Sequence, residues 1–461
     1  MFACHAGADG QRPPSRPSVD LGMLEYEVVW QADLAAANVR VCFPGSPPDA
    51  LVAGVTAART WLTQPRLQRP GQRERHLVLT PGWIDLSDAL AGDCVRYHVD
   101  LARAGRRYGD ALVVRAGVWL WRPPRRQWQV FSGVRIRVQP PRGGRFIAAW
   151  PRDSDGVYRP DASVFGLRSR TVVGVFEEQS FEAAGARFAV ATVPGVADHI
   201  AGLAVPWLSH AARSVAAVDA RFPVERALVI LLPGMAGSGG IDFGFVTRGG
   251  GAAISFHVGG AATLRRLTKE WTSVHEFSHL WLPFVDRRDA WLSEGFATYY
   301  QEVLRVRAGD HSVRAAWSRM WTGARFGADA RGSLARGSER MYEEYSFRRV
   351  YWAGAAFALL ADMELRRRTE GQQSLDTAVV ALNQQQRAAT RGMRATEVVA
   401  ALDRVTGTDV FSVLARRWVW RSPYPSLERA FLDLGLRLEG DRIVMFPAKQ
   451  AWIRQAIMHE R

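Results

Sequence analysis

Residues 268–302 read TKEWTSVHEFSHLWLPFVDRRDAWLSEGFATYYQE, and no other stretch restricts what this chain can fold into so strongly. His275 and His279 are four positions apart, so on a helix their imidazoles stand one above the other on a single face. Two imidazoles so placed can hold one Zn²⁺ at about 2.0–2.1 Å each. Glu276 follows the first of them, where a carboxylate can take a proton from water held by the metal. Thr268 reads as the N-cap of this helix, and Pro283 ends it about one turn after His279. Asp289 reads as the cap of a second helix with Glu294 in its second turn, within reach of a metal held by the first. The competing reading of H-E-x-x-H is a half-buried amphipathic helix with two satisfied histidines. Asp286 and Asp289 are alternative third ligands.

The rest of the chain supplies the setting. Its 461 residues predict two or three domains at about 150 residues each. With 48% hydrophobic and 23% charged residues it is neither disordered, collagenous nor coiled-coil. No apolar run approaches the ~18 residues needed to cross a bilayer; the longest are 227–232 and 353–361. Residues 1–20, with Pro13, Pro14 and Pro17, read as a flexible tail. Residues 21–195 read as a β-rich domain, from strand-like runs at 24–30, 39–43, 76–79, 94–101, 111–121, 128–138 and 188–193. Period-two alternation, as in Val134, Ile136 and Val138, points to an antiparallel sandwich. The texture changes near Gly195: a helical pattern over 196–220, a buried strand at 224–232, then Gly-rich stretches at 234–240 and 249–251. Neither stretch contains G-K-[ST], so no phosphate loop is encoded. The expected division is a catalytic core over 196–310, a helical part over 311–440 and a short mixed tail over 441–461. The fold class is α+β.

The net charge of +15 comes almost wholly from arginine; Lys269 and Lys449 are the only lysines among 60 basic residues. The longest basic run, 366–368, falls at the end of a helical pattern and reads as solvated surface, so no nucleic-acid partner is expected. Cys4, Cys42 and Cys94 form no C-x-x-C pair, which excludes a zinc ribbon or a thioredoxin-type centre. Cys42 and Cys94 lie in strand-like segments, either bridged, as an oxidising compartment allows, or as two buried thiols. The first 18 residues lack the apolar core of a signal peptide, yet the start through Cys4 looks like the end of a lipoprotein cleavage site. A start further upstream would make the protein lipid-anchored, and the cell envelope or periplasm is the expected location.

W-L-S-E-G-F-A-T-Y-Y over 291–300, together with the histidine motif, resembles the gluzincins, thermolysin-like zinc peptidases with two His and one Glu on the metal. The branch is the one containing leukotriene hydrolase-type and glycyl aminopeptidases. The resemblance implies an N-terminal β-sandwich-like domain, then a thermolysin-like zinc peptidase domain with a helical C-terminal part. It implies that His275, His279 and Glu294 hold one Zn²⁺ and that Glu276 is the catalytic base. Fourteen residues separate His279 from Glu294, fewer than that branch usually has. Tyr351-Trp352-Ala353-Gly354-Ala355 resembles the branch's Tyr-x-x-Gly-Ala segment, whose tyrosine stabilises the oxyanion; Tyr342 and Tyr345 are nearby competitors. Residues 359–376 look like the glycyl aminopeptidases, and Asp362 lies about three turns after Tyr351, either supporting the site or paired with an arginine. That family usually carries a PDZ domain; too few residues follow Leu436 here, so peptide capture by one is not expected.

Family aminopeptidases place a Gly-rich edge strand before the zinc helix, with a glutamate for the substrate amine. The corresponding stretch is 248–255, whose glycines would let a peptide backbone approach. Ala253 falls where that glutamate would be, and Asp242 is another anchor. The expected function is therefore a zinc metallopeptidase hydrolysing a peptide or protein substrate. An exopeptidase with a non-standard amine anchor, a zinc hydrolase acting on other substrates and a non-catalytic gluzincin-like binding protein are the alternatives.

Overall fold

Alternation along Gly22–Trp30 (GMLEYEVVW) buries Leu24, Tyr26, Val28 and Trp30 and turns the residues between them outward. The computed structural model describes residues 22–166, 168–328, 332–385, 391–421, 427–440 and 442–459. The expected tail over 1–20, with Cys4, lies outside the described residues. In the N-terminal part a six-stranded sheet runs in the order Phe131–Gln139, Gly22–Trp30, Ala36–Cys42, Cys94–Asp100, Leu62–Gln68 and Arg75–His76. A four-stranded sheet of Arg145–Ala148, Arg170–Gly174, Ala111–Arg115 and Arg106–Tyr108 shares its core, through Tyr26, Val39, Leu112, Trp119 and Phe146. The arrangement is sandwich-like but mixed, because Gly22–Trp30 pairs with Phe131–Gln139 in parallel.

Two expected strands are shorter than their apolar runs. The run over 111–121 leaves the sheet at Arg115 and turns through a helix over Ala116–Trp119. There Gly117 lies so close to Gly54 that a Cβ on Gly54 would sit 2.5 Å from its Cα. The run over 128–138 begins with a 3-10 turn, Arg125–Val130, after Pro123 and Pro124. Cys42 stands directly opposite Cys94 in neighbouring strands, and the two are bridged.

The second core forms around a five-stranded sheet in the order Glu177–Ala183, Ala186–Thr192, Arg226–Pro233, Ala252–Val258, Ile241–Arg248. Its first two strands, read with the β-rich half, belong here; Phe188 and Val190 sit in this core. The change of core thus precedes residue 195. Period-two alternation carries no information about which sheet a strand will join. Ala186–Thr192 pairs with Arg226–Pro233 in parallel, and the helix Asp198–Val215 makes the crossover that a parallel pair requires. Ile241–Arg248 pairs antiparallel with Ala252–Val258 and is the sheet edge.

From residue 264 the chain is mostly helical. Ala290–Arg307 and Phe347–Arg368 are the most intimate pair: a Cβ on Gly295 would lie 2.3 Å from Gly354 C, and one on Gly354 would lie 2.0 Å from Trp291 O. Only glycine at both crossings permits that approach. Arg366, at the end of the second helix, is fully buried against Asp362 rather than solvated; Arg367 and Arg368 pair with Glu364 at the surface. The C-terminal residues are ordered into a hairpin, Leu436–Glu439 with Arg442–Met445, and a helix, Ala451–His459, whose Ile457 carbonyl accepts from Arg307. Among the described residues no helix is long and apolar enough to cross a membrane.

The bridge closes a loop of 52 residues between neighbouring strands. Replacing Cys42 and Cys94 together by serine should lower the stability of the N-terminal part by about 2–4 kcal/mol. Urea unfolding followed by tryptophan fluorescence measures this, and unchanged midpoints would show that the bridge contributes nothing.

Candidate metal centre

Thr268 does not cap the motif helix. It lies inside a separate short helix, Leu264–Lys269, where its hydroxyl donates to the Leu264 carbonyl at 3.0 Å. The chain breaks at Glu270 and Trp271, and the motif helix runs over Thr272–Ser278 with a 3-10 turn, His279–Trp281, before Pro283. The break is held by Glu270, whose carboxylate accepts the Ile241 N–H at 2.8 Å and the Thr272 hydroxyl at 3.2 Å. At the other end Arg248 donates to the His279 carbonyl and, at 2.7 Å, to the Leu282 carbonyl. A cation on the last carbonyls of a helix is favourably placed. Burial nevertheless pushes Arg248 down to about 10. The edge strand is therefore fastened to both ends of the motif helix.

Between these fastenings the three expected ligands converge. His275 Nε2 lies 3.2 Å from Glu294 Oε2, and His279 Nε2 lies 3.5 Å from the same oxygen. One donor atom from each residue falls within 4.8 Å of the others. The two rings are nearly perpendicular, with centroids 4.9 Å apart. His275 Nδ1 is 2.8 Å from Gln301 Oε1, an acceptor, so Nδ1 carries the proton and Nε2 keeps its lone pair for a metal. Gln301 in turn donates to the fully buried Glu302 at 2.9 Å, which also accepts from Arg319 at 3.0 Å. Burial alone would raise the Glu294 carboxyl, but His279 and His275 outweigh it and hold the group well below the usual carboxylate range. Two imidazole nitrogens and one carboxylate oxygen fit Zn²⁺.

The short spacing closes through a distant segment. After Pro283 the chain pairs with Met393: the Asp286 N–H donates to the Met393 carbonyl and the Met393 N–H to the Phe284 carbonyl, both at 2.8 Å. A 3-10 turn, Arg287–Asp289, then leads straight into Ala290–Arg307. Asp286 turns to Arg288, whose hydrogen bonds pull its carboxyl down to about 2. Asp289 stands at the N-cap position without capping; its carboxylate takes Arg394 and, at 3.0 Å, the Ala395 N–H. Neither joins the His275, His279 and Glu294 group.

Glu276 is buried beneath the edge strand, where a Cβ on Gly244 would lie 2.7 Å from its Cγ. Burial pushes its carboxyl up to about 8; His275 opposes the shift and Glu294 adds to it. The Tyr351 ring stacks on His275 at 5.9 Å and 12°. Its hydroxyl is held well above the ordinary phenol range by burial, then by the Glu294 and Glu276 carboxylates. Tyr342 is 50% and Tyr345 81% exposed, so the half-buried stacking position belongs to Tyr351. Asp362 serves structure: it binds Arg366 at 2.9 Å, the Leu375 N–H at 2.8 Å and the Tyr299 hydroxyl at 2.6 Å.

The edge strand is Ile241–Arg248, not 248–255, because the chain turns at the glycines and enters the sheet interior. Ala253 is consequently 1% exposed, on an inner strand. Asp242 does lie on the edge strand, and its carboxylate accepts the Met235 N–H. Sequence reasoning missed Gln301, Arg248 and Glu270. Gln301 had a signal, since it follows Glu294 by two turns on one face. The other two act across the fold and had none.

No family model matches the chain, and no curated protein matches it in sequence. Its fold is shared with solved structures. An aminopeptidase N family protein from Idiomarina loihiensis superposes with a TM-score of 0.67 at 12% identity, covering 90% of this chain and 78% of that one. The M1 zinc metallopeptidase of Deinococcus radiodurans gives 0.54 at 16% identity, covering 88% and 96%. A glutamate-to-alanine variant of it, bound to a Tyr-Ser-Ala substrate, gives 0.57 at 16% identity, covering 88% and 95%. The chain thus has the fold of the M1 zinc peptidases, in agreement with the gluzincin resemblance of its motifs.

If Gln301 orients His275, Gln301→Ala should weaken zinc binding about 10–100-fold with the fold retained. Competition against a chromophoric chelator measures this, and undiminished affinity would remove the orienting role.

Proposed function

We propose that the protein is a zinc-dependent metallopeptidase that hydrolyses peptide bonds. The observation that carries this reading is the convergence of His275, His279 and Glu294 within 4.8 Å, beside a buried Glu276 and the stacked Tyr351. His275, His279 and Glu294 are the residues that would hold the ion. A zinc ion there would supply Lewis-acid polarisation of the scissile carbonyl and lower the pKa of water.

The chain's own residues do the rest. Glu276, buried next to His275 beneath the edge strand, is placed to accept a proton from attacking water and return it to the leaving amine. The Tyr351 hydroxyl, kept protonated, donates to the oxygen that gains charge as the carbonyl is attacked. Gly244 keeps the edge strand close to Glu276, so a peptide added to that edge would run past the base.

An aminopeptidase-type exopeptidase is the second reading. It is favoured by the names of the structural neighbours and by Asp242, a carboxylate on the edge strand able to hold an amine. The Cys42–Cys94 bridge supports a location in the cell envelope or periplasm.

Glu276→Gln should keep zinc at full occupancy and lose about 10²–10⁴-fold in turnover. Tyr351→Phe should lose about 10²–10³-fold in kcat with little change in KM. Mass-spectrometric mapping of cleavage in a denatured protein mixture, with metal analysis of each variant, reads both and separates end-trimming from internal cleavage. Full activity of Glu276→Gln on every peptide the parent cleaves would end this reading.

A further inference from the structure

A cavity of about 920 Å³ lies between the N-terminal part and the face of the catalytic sheet turned away from Glu276. Six arginines line it: Arg59, Arg106, Arg115, Arg122, Arg168 and Arg170. No aspartate or glutamate lines it, and among the described residues no carboxylate forms an ion pair with any of the six. The Nε atoms of Arg122 and Arg170 are buried without a hydrogen-bond partner. Burial pushes both guanidinium groups down to about 10, and burial with Arg168 lowers Arg115. Arg122 and Arg170 are half-buried, whereas Arg59, Arg106, Arg115 and Arg168 reach solvent at the mouth, so the cleft combines two partly desolvated cations with four accessible ones and supplies no carboxylate of its own. One sign of charge in a low-dielectric cleft focuses potential and attracts anions.

The far wall shows which anion fits. It is made by Phe243 and Phe245 of the edge strand with His257 and Leu232 beside them, and Arg170 lies 4.2 Å over the Phe245 ring. Gly244, between the two phenylalanines, faces Glu276 on the opposite side. A peptide strand added to this edge sends alternate side chains to the two faces of the sheet. One set points to the metal side and the other to the arginines. Guanidinium forks match carboxylates in shape and charge.

Resting on the peptidase reading above, we propose that the arginine cavity is a specificity pocket for acidic side chains of the substrate. It receives Asp or Glu at positions that alternate with those facing the catalytic side.

The test uses the full chain carrying Glu276→Gln and two fluorescein-labelled decapeptides, one with Glu and one with Gln at every second position. At 150 mM salt the Glu peptide should bind at least ~10-fold more tightly by anisotropy. Arg115→Glu with Arg168→Glu should abolish the difference, and Arg115→Gln with Arg168→Gln should reduce it should the reversal impair folding. The charge-matched control, Arg314→Glu with Arg404→Glu on exposed helices elsewhere, should leave it intact. Equal loss in the control, or equal binding of the two peptides, would overturn the proposal in favour of diffuse surface charge. Tighter, arginine-dependent binding of a single-stranded oligonucleotide would overturn it in favour of nucleic acid. Hydrolysis is read separately with the Glu276 chain. Acid-selective binding without cleavage supports the pocket and removes the peptidase reading, whereas cleavage with no acidic preference at alternate positions does the reverse.

Discussion

Everything at the His275, His279 and Glu294 cluster depends on how closely two helices approach that share no hydrogen-bond ladder. Imidazoles come from one and a carboxylate from the other, and a ligand set cannot be stretched by even an ångström without losing the ion. The carboxylate helix is in turn held by backbone contact against a third helix, the one that carries Tyr351. Gly295 and Gly354 let Ala290–Arg307 and Phe347–Arg368 nearly touch, which brings Glu294 and Tyr351 to the same side of the motif helix. Arg248 and Glu270 then fix that helix at its two ends against the edge strand. The charges in these fastenings also define the local electrostatics. Glu294 is stabilised as an anion by the histidines, while Glu276, next to His275 in the chain, is buried with far less compensation. The two carboxyls are therefore pushed in opposite directions, Glu294 down and Glu276 up.

What the sequence disclosed was what a single helix can encode. His275, Glu276 and His279 share a turn, Glu294 opens the next long helix, and Tyr351 precedes a glycine; each is a local spacing that needs no tertiary information. The fastenings were invisible because Arg248, Glu270 and Met393 meet their partners only in the fold. The same limit explains the strands. Alternation located Ala186–Thr192 but was silent on its membership of the second sheet, and glycines drew attention to 248–255 although the true edge lies just before them. Thr268 is a capping residue type that lies inside the preceding short helix, which Thr263 caps, because nothing local signals the break that Glu270 stabilises.

Charge was legible as a total and not as a distribution. The arginine excess reads as scattered surface, and much of it is: Arg367 and Arg368 pair with Glu364 in solvent. Arg366, in the same run, is instead sealed inside with Asp362, which also accepts from Tyr299 and from the start of the helix Leu375–Gln385. Adjacent residues of one type thus do unrelated work, and only the packing tells them apart.

The pairing of Phe284 and Asp286 with Met393, and of Asp289 with Arg394 and Ala395, has a consequence for synthesis. The loop that joins the two ligand-bearing helices is completed by residues about a hundred positions downstream. A nascent chain that has exposed only its two histidines therefore lacks the segment that braces the loop before Glu294, and that loop stays unbraced until residue 395 has been made.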